Sequence, residues 1–263
     1  MNDTLKADNN TISERLRNAE REVKAIDPVS QLIGNDDIEM AYSIQDTNTE
    51  YRINQGARIV GKKIGLTSTA VQEQLGVDQP DFGILFDDML ITNNGSIERH
   101  RMLRPKAEGE IAFMLKKDLT KNKHDWSDIL EATDYITAAI EIVDSRIRDW
   151  KIKITDTIAD NASAAYYVIS EMKRSVHGFD LENCEMTLTL NGETASTGKG
   201  SGCMDNPLNA MVWLADKMVE LKKPLRAGEI ILSGALGKFV DIESGDIVRL
   251  DIEGLDPVEI SIL

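Results

Sequence analysis

The first fifty or so residues carry apolar positions at the spacing of α-helices, with charged residues between them. One stripe recurs every three or four residues, as in a helix with one buried face: Ile12, Leu16, Ala19 and Val23. Thr11 and Glu14 stand where a capping box would satisfy free amides at the start of this helix. After a Pro and an Asn-Asp-Asp cluster, the pattern predicts a second helix from about Asp36 to Arg52.

Two more helices are predicted farther along the chain. Ser68 is a suitable N-cap for a short helix that ends at Gly76. Its apolar positions are Val71 and Leu75. A longer helix has Asn206 as its cap and Pro207 in its first turn, and runs to about Lys222. Its apolar stripe comprises Leu208, Val212, Ala215 and Val219.

From residue 59 onward, short apolar runs separated by Gly, Asn and Asp predict β-strands. These runs are 59–60, 110–115, 135–143, 166–169, 186–190, 229–232 and 247–252. The last forty residues follow the order strand, glycine turn, strand. Because helices do not alternate regularly with these strands, the pattern favours an α+β fold built on a folded-over mixed sheet over a doubly wound one. We expect a helical N-terminal region at 1–57 and a catalytic domain at 58–263.

The amino-acid composition excludes several kinds of metal site and binding partner. The chain has 263 residues with three His and two Cys, which excludes a disulfide framework, a Cys/His zinc site and an iron–sulfur cluster within one chain. Any metal must therefore be held mainly by oxygen ligands. A net charge of −15 disfavours binding to nucleic acid or anionic membranes. Since no signal segment and no apolar run of roughly 20 residues is present, we expect a cytoplasmic protein.

Glutamates interrupt two of the apolar runs. If 107–115 is a strand, Glu108 and Glu110 project to the same side of it, and Glu141 lies in the middle of the run 136–143. A buried carboxylate is costly unless it is paired, hydrogen-bonded or bound to a metal. Three convergent carboxylates would suit Mg²⁺ or Mn²⁺. Ion pairs with Lys or Arg, or strands with one face in water, are the open alternatives.

Other polar segments carry weaker signals. The glycines of GKKIGLTS at 61–68 permit close backbone approach, and a lysine there could be an acid/base with a depressed pKa or simply an exposed strand end. GKGSG at 198–202 lacks phosphate-loop spacing and is interpreted as a loop. The basic stretch 99–104 and the polar island 160–163 are interpreted as turns, although the island could line a pocket. Cys184 and Cys203 are interpreted as packing residues.

Six segments in a fixed order point to a known family. They are GKKIGLTS at 61–68, GVDQPDFG at 76–83, RPKAEGEIAF at 104–113, DSRIRDW at 144–150, ADNAS at 159–163 and ILSGAL at 231–236. Together they closely resemble the 2-hydroxypenta-2,4-dienoate (2-oxopent-4-enoate) hydratases of bacterial meta-cleavage pathways, within the fumarylacetoacetate hydrolase superfamily. The resemblance extends from about residue 38 to the C-terminus. It implies that superfamily's α+β fold, a folded mixed β-sheet of roll or sandwich type.

The resemblance also implies roles for individual residues. The three glutamates that bind a divalent metal in this family, Mg²⁺ or Mn²⁺, match Glu108, Glu110 and Glu141. The family's proposed proton-transfer residues match Lys63 and Asp81. Two serines near the substrate match Ser163 and Ser233.

The implied chemistry is addition of water to a 2-enol acid. The substrate would chelate the metal through its carboxylate and C2 oxygen, and the metal would stabilise enolate charge as a Lewis acid. Protonation at C5 gives an unsaturated ketone, water adds at C4, and protonation at C3 yields 4-hydroxy-2-oxopentanoate. Lys63 and Asp81 are suited to moving these protons.

Four alternatives stay open at this point. The sister 4-oxalocrotonate decarboxylase shares the metal–enolate logic but expels CO₂, although the segments 79–83 and 149–154 look more like the hydratases. A hydratase for a longer dioate, an acylpyruvate C–C hydrolase and a non-catalytic partner subunit are the others. The family also implies a homo-oligomer, and association with the sister decarboxylase or the downstream aldolase.

Overall fold

A computed structural model describes residues 8–68, 72, 77 and 79–263. Three helices open the described chain: α1 (Asn9–Glu22), α2 (Ser30–Ile33) and α3 (Ile38–Asn54). Helices α4 (Trp126–Ala132), α5 (Ile154–Ala159) and α6 (Pro207–Glu220) follow between strands. The predicted helix with Val71 and Leu75 lies outside the described residues, and α2, α4 and α5 are short helices that the apolar spacing did not reveal.

The start of α1 corrects the predicted capping box. Asp8 is the N-cap, and its carboxylate accepts a hydrogen bond of 2.8 Å from the Thr11 backbone N–H. An acidic cap three residues earlier serves the same amide and lets the helix begin at Asn9. At the other end, Val23 is 37% exposed with a φ of 50°, because it terminates the helix in the left-handed conformation instead of extending the buried stripe.

The two longer predicted helices are confirmed, but α6 buries a different face from the one predicted. Asp37 caps α3 through the Met40 N–H, and Asn206 caps α6 through the Leu208 N–H. The side chains of α6 that are buried are Leu208, Ala210, Met211, Leu214, Ala215 and Met218. Val212 and Val219 of the predicted stripe are only half-buried, because the longer Met and Leu side chains on the adjoining face fill the core.

A large sheet of eight strands carries most of the predicted site residues. Its members are β1 (Ile59–Gly65), β2 (Asp81–Phe86), β3 (Leu90–Ile91), β5 (Lys106–Leu115), β6 (Thr133–Val143), β7 (Ala164–Ile169), β10 (Ile230–Leu232) and β11 (Val240–Asp241). The order is β2-β1-β10-β5-β6-β7-β3, with β11 also paired to β5. The β1–β10 and β3–β7 pairs are parallel and the others antiparallel, so the sheet is mixed.

A second sheet of five strands packs on the first. It contains β4 (Gly95–Ile97), β8 (Glu185–Leu190), β9 (Glu193–Lys199), β12 (Ile247–Ile252) and β13 (Val258–Ile262), in the order β4-β13-β12-β8-β9. A Cβ on Gly109 of β5 would lie 2.5 Å from Leu250 Cδ1, so the small sheet presses directly against the outer face of β5. The folded-over mixed sheet and the α+β class are therefore confirmed.

The sequence pattern missed the short strands β3, β4 and β11 and two longer strands, β2 and β9, the longer two for opposite reasons. All six residues of β2 are buried, so it shows no alternation, and β9 is a largely polar edge strand. The predicted loop 198–202 is partly wrong, since Gly198 and Lys199 complete β9 before a 3₁₀ turn. A Cβ on Gly200 would lie 1.6 Å from the Leu181 carbonyl oxygen, so backbone packing explains this glycine.

The basic stretch 99–104 matches the predicted turn only in its first half, because Met102 is buried in the core, whereas the expectation for the cysteines is met. Residues Arg99–Arg101 form a 3₁₀ turn without buried side chains, and both cysteines are buried and unbridged. Within the described part of the chain, every helix is too short or too polar to cross a membrane.

Helix α3 is tied to the large sheet by Gln45, whose Nε2 donates to Phe82 O at 2.9 Å and Ile158 O at 3.1 Å.

Candidate metal centre and proton-transfer site

Strand register brings the three predicted glutamates together. Glu108 lies directly opposite Glu141 in the β5–β6 pair, and Glu110 lies two residues farther on the same face of β5. One carboxylate oxygen from each residue falls within 4.8 Å of the others. Glu110 and Glu141 are fully buried and Glu108 is half-buried. The alternative of a strand with one face in water is therefore wrong for this cluster.

The cluster has more negative charge than its protein surroundings satisfy. Glu110 Oε2 accepts a 2.7 Å bond from the Gly234 N–H, but Glu110 Oε1 and Glu141 Oε2 find no hydrogen-bond partner among the described residues, and Glu141 Oε1 has only the Lys63 ammonium at 3.2 Å. Burial, then mutual repulsion, raises the pKa of Glu108 to about 7 and that of Glu110 well above its ordinary value. Converging buried carboxylates with free oxygens are what a hard divalent cation requires, so the residues fit such an ion.

Lys63 supplies the nearest positive charge. It projects from β1 and its Nζ lies 3.2 Å from Glu141 Oε1, with both side chains almost wholly buried. One ammonium cannot neutralise three carboxylates, so an ion pair with lysine explains the burial of this cluster only in part. Burial by itself lowers the pKa of Lys63, but Glu141 and the other surrounding carboxylates raise it above its ordinary value. The predicted depressed pKa is wrong here, because the sequence did not reveal how many carboxylates face this lysine.

Asp81 begins β2 on the same inner face. It is cross-strand from Gly65, and a Cβ on Gly65 would lie 2.2 Å from Asp81 Oδ1 and 3.4 Å from Lys63 Nζ. Glycine therefore leaves the space that both functional groups enter. Burial raises the pKa of Asp81, opposed by the Lys63 charge, and its Oδ1 has no hydrogen-bond partner among the described residues. A buried ammonium and a buried carboxyl group therefore lie close together beside the glutamates, and their role in proton transfer stays a prediction.

The two predicted serines occupy different positions. Ser233 follows β10 and is fully buried, next to Gly234, whose N–H holds Glu110. Gly234 has a φ of +105° and lies against Thr67, which lines an open cleft of about 590 Å³. Ser163 is buried too, but its hydroxyl is turned to Asp160 Oδ2 at 3.5 Å. Their contact with substrate stays a prediction.

A polar network beside the site was not predicted from sequence. Asp160 and Arg146 are buried and paired, with Arg146 Nε donating to Asp160 Oδ1 at 2.5 Å. Asn161, which the pattern placed in a turn, binds the backbone of Ile84 in β2. The sequence did show an Arg and an Asp inside two of the ordered segments, 144–150 and 159–163. It did not show that these two residues, 14 positions apart, form a buried pair.

Residues 52–262 match the family described as Fumarylacetoacetate (FAA) hydrolase C-terminal. The chain belongs to this family, as its ordered segments indicated. Within it, the chain is 47% identical over 255 residues to the 2-keto-4-pentenoate hydratase of Burkholderia vietnamiensis (strain G4 / LMG 22486), which covers 96% of this chain and 97% of that protein. It is 41% identical over 247 residues to the 2-hydroxyhexa-2,4-dienoate hydratase of Comamonas testosteroni, covering 93% and 94% of the two chains.

A solved relative has the same fold. The 4-oxalocrotonate decarboxylase of Pseudomonas putida G7, complexed with magnesium and adipate, superimposes with a TM-score of 0.91 over 96% of both chains, at 29% identity. The sheet architecture is thus common to hydratases and a decarboxylase. Sequence identity, rather than fold, separates this chain from the decarboxylase.

Proposed function

We propose that the protein is a divalent-metal-dependent hydratase that converts 2-hydroxypenta-2,4-dienoate and water into 4-hydroxy-2-oxopentanoate during catabolism of aromatic compounds. The observation that carries this proposal is the buried cluster of Glu108, Glu110 and Glu141 beside Lys63 and Asp81, in a chain 47% identical to 2-keto-4-pentenoate hydratases. The enzyme is a hydro-lyase, and we assign it to the cytoplasm as a homo-oligomer.

The glutamates would hold Mg²⁺ or Mn²⁺ through their free oxygens. A bound ion supplies Lewis-acid stabilisation of the negative charge that develops on the C2 oxygen of the substrate. Because Glu110 is also held by the Gly234 N–H, its second oxygen points in a defined direction before an ion arrives. Burial of the cluster keeps bulk water away from this charge.

Lys63 and Asp81 move the protons. The enol proton leaves the C2 oxygen as C5 gains one, the added water gives its oxygen to C4 and loses a proton, and C3 gains the last proton. Each of these steps needs a buried donor or acceptor close to the substrate carbon chain. The two side chains meet this need from adjacent strands, with Gly65 leaving room for both.

The runner-up is 4-oxalocrotonate decarboxylase activity, favoured by the close superposition with that enzyme. Incubation of the purified protein with Mg²⁺ and either dienoate or 4-oxalocrotonate separates the two, by analysis for 4-hydroxy-2-oxopentanoate or for CO₂. The hexadienoate homologue belongs in the same assay, because a 41% identical relative is named for it. Release of CO₂ without hydrated product would reject the hydratase.

The metal assignment has a matched control in the chain. Glu108→Gln should abolish both stoichiometric Mn²⁺ binding, measured by calorimetry, and loss of dienoate absorbance. Glu22→Gln, in the exposed Glu-x-Glu pair of α1, should leave both unchanged. Full activity in Glu108→Gln would reject the assigned metal site.

A further inference from the structure

In the described part of the chain no further strand pairs with the β2 edge of the large sheet, and a side chain takes that place. Asn161 Oδ1 accepts a 2.7 Å hydrogen bond from the Ile84 N–H, and Asn161 Nδ2 donates to Ile84 O at 2.9 Å. One amide side chain therefore satisfies both backbone groups of an edge residue, as a neighbouring strand would. β7 begins three residues later, so the turn 161–163 connects β7 to β2 across this gap.

The turn 161–163 has an unusual backbone conformation that its neighbours hold in place. Asn161, Ala162 and Ser163 have φ values of 54°, 50° and 55°, a run of left-handed residues that persists only where the surroundings impose it. Arg146 supplies that constraint. Its guanidinium donates to Asp160 Oδ1 at 2.5 Å, to the Asp160 carbonyl oxygen, and to Ala164 O at 3.1 Å, so one buried cation fixes both ends of the turn.

This turn lies directly over the side chain of Lys63. Gly83 of β2 is cross-strand from Lys63, and a Cβ on Gly83 would lie 2.4 Å from Asn161 O and 3.3 Å from Lys63 Cδ. Asp81 is two residues before Gly83, on the same face of β2. The strand that Asn161 anchors is therefore the one that carries Asp81 to Lys63.

We propose that Asn161 is a positioning residue for the reaction, which fixes β2 so that Asp81 and Lys63 keep the spacing that proton transfer needs. This inference rests on the proposed function, in which these two side chains move the protons. The glutamate cluster belongs to β5 and β6, whereas the hydrogen bonds of the Asn161 amide go to β2. Loss of that amide should therefore lower kcat and leave metal and substrate binding largely intact.

Asn161→Gly is the direct test, because glycine adopts a φ of 54° freely and only the two side-chain bonds are lost. Asn191→Gly is the matched control. Asn191 also has a φ of 54°, and its amide accepts from the Ile247 N–H at 2.9 Å and donates to Asp246 Oδ1 at 2.8 Å, in an exposed turn of the small sheet. We expect Asn161→Gly to lower kcat at least about tenfold, with KM and the Mn²⁺ dissociation constant changed less than about twofold. Asn191→Gly should keep the wild-type kcat.

Equal kcat values in the two variants would overturn the positioning role, as would a loss confined to KM or to Mn²⁺ affinity. If Asn161→Gly does not fold, Asn161→Asp replaces it, since it keeps the acceptor for the Ile84 N–H and replaces the donor to Ile84 O by a carboxylate oxygen, which breaks that bond. The same fall in kcat is expected. Wild-type protein without activity on dienoate would reject the proposed function, whereas normal turnover in the Asn161 variants would reject only the positioning role.

Discussion

Without a bound cation, the glutamate cluster should make the protein less stable as the pH rises. Burial and the neighbouring carboxylates raise the pKa of Glu108 from 4.5 to about 7 in the folded chain. In the unfolded chain the group titrates near 4.5, so between these values the folded state binds more protons and loses stability as the pH rises. A pKa difference of this size lowers the free energy of unfolding by about 3 kcal/mol at pH 8. The full loss is reached at pH values above the folded-state pKa.

The assay is thermal or urea unfolding of chelator-treated protein at pH 5, 6, 7 and 8, compared with Glu108→Gln. The variant removes the charge but keeps the shape, so its advantage over wild type should grow from near zero at pH 5 to about 3 kcal/mol at pH 8. For a chain of this size that is roughly 6–12 °C in Tm. Saturating Mg²⁺ should reverse the order, because only the wild type gains binding energy from the ion.

A constant difference between wild type and Glu108→Gln across this pH range would refute the reasoning. It would mean that Glu108 titrates at the same pH in the folded and unfolded chains, so that its burial among like charges has no energetic consequence. Equal stabilisation of both proteins by Mg²⁺ would refute the assignment of the cation to this cluster.

Three further outcomes follow from the geometry. Gly65→Ala puts a methyl group 2.2 Å from Oδ1 of Asp81, the proposed proton-transfer residue, and should lower kcat at least about tenfold with a small change in Tm, measured by steady-state kinetics and calorimetry. Arg146→Met leaves Asp160 buried without its partner and should cost about 3–5 kcal/mol in urea unfolding at neutral pH, with less loss below the folded Asp160 pKa of about 6. Lys62→Met, on the opposite face of β1 from Lys63, should keep the wild-type kcat, whereas Lys63→Met should abolish turnover.

Much of the candidate site could be predicted from the sequence, because the spacing of its residues is local. The i, i+2 spacing of Glu108 and Glu110 in a run of strand-forming residues already assigns them to one face, and the scarcity of His and Cys leaves oxygen as the ligand. The order of six short segments identified the family. The starts of helices α3 and α6 could be predicted closely, because their N-caps, Asp37 and Asn206, act on backbone groups only a few residues away.

Distances between remote residues were decided only by the tertiary structure. Glu141 is 31 positions from Glu110, and only the β5–β6 register brings them together. The pKa of Lys63 could not be predicted, because Coulomb energies depend on how many carboxylates the fold gathers around it. The strand β2 showed no alternation because both of its faces are buried, and Asn161 gained its position from an edge that exists only once the sheet is assembled. Local spacing determined which groups are present, and packing determined which of them meet.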